Sequence, residues 1–508
     1  MKNTVSEDQS LDPDILAPIE EIELVIGLVG PTGTDLDIII KELSVQLKNM
    51  GYETIDISLS KLILEMSQTG EQKLSCEYER VKFLMNEGTK LREQNKLGDF
   101  VARLAIAEIR RQRKKITGES GKPAKKKAYI LKSFKRREEV DLFKIVYGQA
   151  FTLISVYSSI EDRLNSLSKK LANTCGKLVD QVKHQALELI NIDLEEEKDF
   201  GQDVRNTFPL ADYFVSLEDP SKLKSQLLRL VQLIFENPSL TPSKDEYAMY
   251  FAQAAALRSG DLSRQVGAAI VSMDGDILVV GCNEVPKFGG GLYWVDDQSP
   301  ARDLEIGYDK NDKIKQEIVR ELIQKLRSNN WFVQSISNKS DDELYAESVL
   351  DKNGFLKETQ ILNVIEFGRA VHAEMAAISE AAKRGISVKG SRLFCTTFPC
   401  HLCARHIISS GISEVVYIEP YPKSRTEELY ADSVVVNSKN KILNKVNFKP
   451  FVGVAPRKYF EFFQFSGKRK NKDGDLSEWE KRPRTKIFIL SHIMLEVKIV
   501  SSLPSKQL

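Results

Sequence analysis

The chain has 508 residues, of which 42% are hydrophobic and 29% are charged, a composition that is ordinary for folded globular proteins. At roughly 100–200 residues per domain, this length indicates about two to four domains. The 73 lysines and arginines almost balance the 72 aspartates and glutamates, which leaves a net charge of +1. The overall charge therefore gives no reason to expect a polyanionic partner.

The sequence predicts a cytoplasmic protein without membrane association. Its first residues, MKNTVSEDQS, lack the apolar core of a secretory signal. No window of about 18 apolar residues occurs that could span a membrane. In a reducing compartment the six cysteines are not expected to form a disulfide framework, and a Cys-x-x-Cys pair indicates metal or redox chemistry instead.

The N-terminal half begins with an α/β pattern. Residues 1–20 are polar, contain two prolines and are interpreted as a flexible lead. An apolar run over 22–29 predicts a strand, and a glycine-rich turn, a helix over about 36–50 and a second strand over 52–59 follow it. Strand, turn, helix and strand in this order are typical of an α/β domain, which we predict over residues 21–236.

The glycine-rich turn is a candidate nucleotide-binding site, formed by Gly27, Gly30, Gly33 and Thr34. Such a turn before a helix offers backbone N–H groups to phosphate. A P-loop, however, ends in Gly-Lys-Ser/Thr, whereas this chain has Gly33-Thr34-Asp35. Because the lysine is missing and a carboxylate is added, we predict a degenerate structural or regulatory nucleotide site and no phosphoryl transfer.

The second half begins after residues 237–244 (NPSLTPSK), whose prolines and hydroxyl residues indicate a domain boundary. Beyond it we predict a helix over 246–259, strands over 267–272 and 276–280, a helix over 373–384, a strand over 392–396, a helix over 403–410 and a strand over 414–418. This order predicts a mixed sheet covered by helices, in a domain over 245–465. The polar residues 287–363 are interpreted as an insertion, and residues 466–508 as a C-terminal extension.

Two short segments carry the chemistry. Residues 371–375 read Val-His-Ala-Glu-Met, and residues 398–403 read Phe-Pro-Cys-His-Leu-Cys. Imidazole and thiolate ligands favour Zn²⁺, so we predict His372, Cys400 and Cys403 as ligands, with a fourth position left for water. Zinc lowers the pKa of such a water towards neutrality. Glu374, beside the metal but not a ligand, is the predicted catalytic proton carrier, and the combined pattern is the signature of zinc deaminases.

The alternative interpretation is a structural zinc site or a redox Cys-x-x-Cys pair. A structural site would need a fourth protein ligand, and the nearby His401 and His406 are expected to face elsewhere. The two halves of the pattern occur in order and 28 residues apart, which favours the catalytic interpretation. Cys282 and Cys395 are interpreted as small buried apolar residues.

Residues 246–425 resemble the deoxycytidylate deaminases of the zinc-dependent cytidine/deoxycytidylate deaminase superfamily. The resemblance rests on Arg264-Gln-Val-Gly-Ala268 and on Cys282-Asn-Glu-Val-Pro286. It implies that Asn283 binds the sugar or base of the substrate and that Arg264 contacts its phosphate. The residues alone leave open that Arg264 caps a strand end. The family often reads Tyr-Asn-Gly where this chain has Cys-Asn-Glu.

Three further segments, EFGRAVH over 366–372, TTFPCHLC over 396–403 and YIEPYPKS over 417–424, are similar to bacterial antiviral deoxycytidylate/dCTP deaminases. The resemblance extends over about 22–465. It implies an N-terminal P-loop kinase-like parallel-sheet domain and a cytidine-deaminase-like α/β/α sandwich. It also implies one catalytic zinc ion, conversion of dCMP or dCTP to the deoxyuridine nucleotide, depletion of the dCTP pool of a phage, and a homo-oligomer.

Two other functions remain open from the residues. A polynucleotide-editing deaminase acting on tRNA or single-stranded DNA would carry the same signature, but would need a basic groove with stacking aromatic residues. Alternatively, the N-terminal domain is a nucleotide or RNA sensor that controls the deaminase. The local basic runs, together with the resemblance, suggest a regulatory nucleotide or an inhibitory small RNA as partner.

Overall fold

The structure is a computed structural model that describes residues 22–67, 76–194, 196, 198–351, 354–357, 359–420, 424–438, 442–465, 467–483 and 489–503. The lead predicted over 1–20 lies outside the described residues, as do residues 421–423 of the third similar segment. Contacts divide the described chain into two units. The first contains the residues up to Tyr247 and those from Pro450 onward, and the second contains 248–436 and 442–449.

The strands form two six-stranded sheets. In chain order they are β1 Leu24–Val29, β2 Glu53–Ser58, β3 Lys127–Lys132, β4 Phe151–Tyr157, β5 Tyr213–Ser216, β6 Gly267–Val271, β7 Ile277–Cys282, β8 Arg392–Thr397, β9 Glu414–Glu419, β10 Val434–Val436, β11 Val446–Pro450 and β12 Gly453–Val454. The first sheet has the order β12-β5-β4-β1-β3-β2, and the second has the order β10-β11-β9-β8-β6-β7.

Helices cover the sheets and connect their strands. In chain order they are α1 Leu36–Lys48, α2 Leu59–Met66, α3 Glu77–Asn95, α4 Phe100–Thr117, α5 Arg137–Tyr147, α6 Ile160–Cys175, α7 Val179–Leu194, α8 Val204–Thr207, α9 Pro220–Ile234, α10 Lys244–Ala256, α11 Asp303–Ile306, α12 Lys310–Ser328, α13 Gln334–Ser337, α14 Asp341–Tyr345, α15 Ala373–Arg384, α16 His401–Ser409, α17 Thr426–Leu429, α18 Tyr459–Phe463 and α19 Ile489–Ser501. No described helix combines the length and the apolar character needed to cross a membrane.

The first sheet has β1 at its centre, with β1 to β5 all parallel. Every residue of β1 is buried, as expected for a parallel strand covered on both faces. Leu24, Ile26 and Leu28 share one core cluster with apolar residues of α1 and α9. The predicted α/β class is therefore confirmed for this half of the chain.

The C-terminal part of the chain belongs to the first unit. β12 pairs antiparallel with β5, and its Val454 N–H donates to Glu246 Oε1 at 3.0 Å. Farther on, Glu496 of α19 is fully buried and forms an ion pair with Arg113 of α4 at 2.6 Å. The structure thus differs from the predicted domain over 245–465 and its separate extension, because these contacts pair residues far apart in sequence.

The second unit follows the predicted order of elements. β6 and β7 form an antiparallel hairpin, β8 is antiparallel to β6, and β8 runs parallel to β9, so the predicted mixed sheet is confirmed. The insertion contributes α11 to α14, which carry a small core of their own. That core contains Val319, Ile323, Leu344 and Tyr345.

The expectation that the cysteines form no disulfide is wrong for Cys76 and Cys175, which the structure joins. Cys76 is the N-cap residue of α3 and Cys175 is the last residue of α6. These two helices pack together, with Met85 and Leu171 in one cluster, which brings the Cα atoms of the two cysteines to 4.9 Å. The other two cysteines outside the metal motif, Cys282 and Cys395, are buried as predicted.

Candidate metal centre and active site

The first half of the metal motif lies at the start of α15. His372 is the N-cap residue of this helix, and Glu374 lies in its first turn. The helix packs directly on the backbone of β7, where a Cβ added to Gly281 would lie 2.4 Å from the Ala373 carbonyl oxygen and 2.5 Å from the Ala377 nitrogen. Because only glycine allows this approach, β7 determines how deeply the helix start is buried.

A short backbone bridge fixes the segment that precedes His372. The Glu284 N–H donates to the Val371 carbonyl oxygen at 3.2 Å, and the Val371 N–H donates back to Glu284 at 3.0 Å. The buried carboxylate of Glu284 also accepts from the Gly260 N–H at 2.9 Å. The residue at which this chain departs from the Tyr-Asn-Gly pattern therefore connects two loops beside the metal motif.

The second half of the motif lies at the start of α16, directly after β8. Cys400 is the N-cap residue of α16, and Cys403 lies in its first turn. Both sequence pairs thus lie at the start of a helix, and α16 begins two residues before the helix predicted over 403–410. The Nδ1 atom of His372 lies 3.3 Å from the sulfur of Cys400 and 3.3 Å from that of Cys403. In the described part of the chain these three residues are the group found whose ligand atoms could share one metal ion.

The donor set fits a zinc ion. With Zn–N bonds of about 2.1 Å and Zn–S bonds of about 2.3 Å, tetrahedral ligands lie about 3.6 Å apart, close to the separations of this cluster. Cys400 and Cys403 are both buried. His401 and His406 are absent from this group, so the described part of the chain offers three protein ligands. Three ligands are typical of a catalytic rather than a structural zinc site.

The charges of the cluster also favour a cation. A hydrogen bond from Cys403, followed by one from His372, lowers the pKa of Cys400 to about 4. The hydrogen bond to Cys400 raises the pKa of His372 to about 9. Cys400 is the N-cap residue of α16, and Cys403 lies in the first turn of that helix. Backbone N–H groups at a helix start stabilise a thiolate. The site therefore holds a thiolate that a divalent cation would neutralise.

Glu374 lies beside the cluster without being one of its ligands. Its carboxylate is 4% exposed, and its Oε2 atom lies 3.5 Å from the sulfur of Cys403. Burial raises the pKa of Glu374, and the thiolate of Cys400 raises it further. A raised pKa brings the carboxyl group closer to neutral pH, where a group can both accept and return a proton.

A cleft of about 240 Å³ opens over His372, Glu374 and Cys400. Part of its wall comes from residues that no sequence motif predicted. Asp303 and Asp309 belong to the insertion and line the cleft. The insertion therefore contributes residues to the candidate active site.

The two residues predicted to bind substrate also line this cleft. The Asn283 side chain accepts from the Val266 N–H at 2.8 Å and donates to the Arg264 carbonyl at 2.8 Å. It therefore also holds the backbone that leads into β6. The Arg264 side chain is 45% exposed and forms an ion pair with Glu419 at 3.2 Å.

Arg369 is a lining residue that the sequence analysis missed. Its guanidinium donates to Asp303 at 2.8 Å and to the Ala301 carbonyl at 2.8 Å. It connects the insertion to the segment that ends in His372. Its position three residues before His372 was the signal in the sequence that could have identified it as a residue of the cleft.

The three candidate nucleotide-binding glycines occupy different local environments. Gly27 lies inside β1, where an added Cβ would lie 2.8 Å from the ring of Phe134. A Cβ on Gly30 would lie 2.7 Å from a methyl group of Leu36. Gly33 has a φ of +94°, which favours glycine. Packing and backbone conformation thus explain these glycines without a ligand.

We predict that the zinc content depends on the three clustered side chains. Purified protein should carry about one zinc ion per chain, and Cys403→Ser or His372→Ala should lose most of it, because each removes one of three ligands. Metal analysis by mass spectrometry measures this directly. Cys282→Ala is the matched control, since it removes a buried thiol outside the cluster. Full zinc content in Cys403→Ser would contradict the assignment.

Comparison with known proteins agrees with this geometry. Residues 242–419 match the family model described as the cytidine and deoxycytidylate deaminase zinc-binding region. The deoxycytidylate deaminase of Enterobacteria phage T4 is 37% identical over 83 residues, which are 16% of this chain and 43% of the relative. The probable deoxycytidylate deaminase of Drosophila melanogaster is 28% identical over 205 residues, which are 40% of this chain and 73% of the relative.

The chain thus spans less than half the length of the phage relative. A crystal structure of dCMP deaminase from the cyanophage S-TIM5 in apo form is similar over 41% of this chain and 99% of that chain, with 18% identity and a TM-score of 0.22, which is too low to add to the assignment. The family match contains all three clustered ligands and Glu374. Within residues 242–419, the chain is therefore similar to the zinc-binding region of cytidine and deoxycytidylate deaminases.

Proposed function

We propose that this protein is a zinc-dependent hydrolase that deaminates deoxycytidine nucleotides, dCMP or dCTP, to the deoxyuridine nucleotides. The observation that carries the proposal is the buried cluster of His372, Cys400 and Cys403 with Glu374 beside it, at the base of an open cleft. The relatives that are named deoxycytidylate deaminases support the substrate class.

In this proposal His372, Cys400 and Cys403 would hold the zinc ion. When bound, zinc supplies the acidity that makes a water nucleophilic at neutral pH. Glu374 accepts a proton from the attacking water and delivers it to the ring nitrogen of cytosine. It then takes the remaining proton of the hydroxyl group added to the ring carbon and passes it to the departing amine. The C–N bond to the exocyclic amine breaks, a C=O bond forms in its place, and ammonia leaves. The buried position of Glu374 keeps these transfers away from bulk solvent.

The wider role is also a proposal. Similarity of the motifs to antiviral dCMP/dCTP deaminases supports depletion of the dCTP pool in antiphage defence, carried out in the cytoplasm by a homo-oligomer. An inhibitory small RNA is the proposed partner.

The substrate assay offers purified zinc-loaded protein dCMP, dCTP, CMP and cytidine, and follows ammonia and the uracil products. We expect turnover of at least one deoxycytidine nucleotide. Single-stranded DNA and tRNA are included to test the editing alternative. Deamination of a polynucleotide together with inactivity on every free nucleotide would reverse the proposal.

We predict that Arg264 and Arg369 recognise the substrate phosphate. They are the two arginines that line the cleft in the described part of the chain, and no described lysine lines it. A charge-assisted hydrogen bond contributes about 1.5–3 kcal/mol, so Arg264→Ala or Arg369→Ala should lower kcat/KM for dCMP about 10- to 100-fold. Steady-state kinetics with dCMP and with deoxycytidine separates recognition from folding, because only the nucleotide carries the phosphate.

The matched control is Arg384→Ala, which removes an exposed arginine of α15 outside the cleft. An equal loss of activity towards dCMP and deoxycytidine would show that Arg369 acts only through its ion pair with Asp303. That result would contradict phosphate recognition by Arg369 and would not affect the proposed deaminase activity.

A further inference from the structure

The turn between β1 and α1 holds a carboxylate from a distant helix. The Thr32 N–H donates to Asp193 Oδ2 at 2.6 Å, and Asp193, on α7, is completely buried. The other carboxylate oxygen forms an ion pair with the Lys135 ammonium group at 2.7 Å. Lys135 also donates to the Gly30 carbonyl at 3.2 Å. An anion thus lies between a backbone N–H of the turn and a lysine.

These are the partners that a phosphate finds in a P-loop. Backbone N–H groups of a glycine-rich turn and one lysine ammonium group surround the phosphate there. In this chain the turn itself has no lysine, and the ammonium group comes from Lys135, just beyond the end of β3. The carboxylate of Asp193 occupies the position between them.

A cleft of about 190 Å³ lies beside this turn. It is at the carboxyl ends of β1 and β3, where open parallel sheets bind their ligands. Its described lining includes five cationic side chains and three carboxylates, namely Arg80, Arg92, Lys132, Lys135 and Lys170 against Glu77, Glu139 and Asp193. Arg80 and Arg92 are paired with Glu77 and Glu139, and the lining keeps an excess of positive charge that favours an anion.

Three buried polar atoms of residues at this cleft lack a hydrogen-bond partner among the described residues. They are the Nε–H group of Arg92, the hydroxyl oxygen of Thr34 and Asp193 Oδ1, which has the ion pair with Lys135 alone. Arg92 is only 1% exposed, although its Nη2 atom is paired with Glu139 at 3.0 Å. A buried donor without an acceptor is costly, which indicates that the cleft is built to receive further polar atoms.

We propose that the turn and its cleft form a phosphate-binding site that the chain keeps occupied with the carboxylate of Asp193. A phosphate-bearing ligand, such as inorganic pyrophosphate or the polyphosphate of a nucleoside triphosphate, binds at the turn only when this carboxylate is withdrawn or neutralised. The physical reason is that two anions cannot share one N–H group and one ammonium group at contact distance. The inference concerns the first unit and does not rest on the proposed deamination.

The test is isothermal titration calorimetry of the full chain with inorganic pyrophosphate and, separately, with ATP. Asp193→Asn keeps the shape of the side chain and removes its charge. We expect the variant to bind pyrophosphate at least about tenfold more tightly than the original protein, the effect of losing one charged competitor. Tighter binding of ATP than of pyrophosphate by the variant would show that the nucleoside also contacts the cleft.

Asp180→Asn is the matched control, because Asp180 also lies on α7 but its side chain is 87% exposed. It should bind like the original protein. Adding Lys135→Ala to Asp193→Asn should abolish the gained binding. A folded Asp193→Asn protein that binds neither probe overturns the proposal, and so does an original protein that binds as tightly as the variant. If thermal melting shows that Asp193→Asn is unfolded, Asp193→Ser is titrated in its place.

Discussion

Glu374→Gln is expected to lower kcat for deamination by about 10²- to 10⁴-fold, the usual contribution of a positioned general acid or base. Glutamine has nearly the same shape but can neither accept nor release the proton that the reaction moves. Zinc content should not change, because Glu374 lies beside the cluster of ligands and is not part of it. Single-turnover deamination of the preferred nucleotide, measured together with zinc content, tests both statements.

The matched control is Glu380→Gln on the same helix, α15. Glu380 forms ion pairs with Lys383 and Arg384, away from the metal motif, so this variant should keep the activity of the original protein. If Glu374→Gln retains full activity with full zinc content, Glu374 is not the proton carrier. If it loses zinc as well as activity, the carboxylate has a role in holding the metal.

Glu496→Ala is expected to destabilise the first unit by about 1.5–3 kcal/mol, the usual contribution of a hydrogen bond to a charged group. Arg113 is completely buried and is held by Glu496 at 2.6 Å and by Glu23 at 2.8 Å. Tyr147 donates to the same Glu496 carboxylate at 2.9 Å. Native-state hydrogen exchange of α4, followed by mass spectrometry, measures the free energy of local opening.

The control is Lys498→Ala, an exposed position on the same helix, which should change the opening free energy by less than about 0.5 kcal/mol. Equal effects of Glu496→Ala and Lys498→Ala would contradict the assigned role of the pair.

The sequence was most informative where structure and chemistry are local. The predicted helix over 373–384 coincides with α15, and the strand over 414–418 differs from β9 by one residue. Short apolar strands and helices that start at His372 or Cys400 can be identified from a few neighbouring residues. The candidate metal site could be predicted for the same reason, since His372 and Glu374 lie within one helical turn and so do Cys400 and Cys403.

Contacts between distant segments could not be predicted in this way. The pairing of β12 with β5, the disulfide between Cys76 and Cys175, and the ion pair of Arg369 with Asp303 each join residues that no local pattern connects. Polar residues such as those of the insertion look like solvated loops until the structure shows which surface they face. The carboxylate of Asp193 at the turn was missed for the same reason, because it lies 161 residues from Thr32.

The return of the chain to its first unit has a consequence for synthesis on the ribosome. Arg113 emerges 383 residues before Glu496, and the whole second unit is translated between them. At about 5–20 residues per second, the arginine waits roughly 20–80 s for its partner. During that interval the first unit lacks both an edge strand and one of the two acids that hold the buried Arg113. A nascent chain arrested after Val436 should therefore expose its first half to chaperones and proteases, even though nearly all of its second unit has already been made.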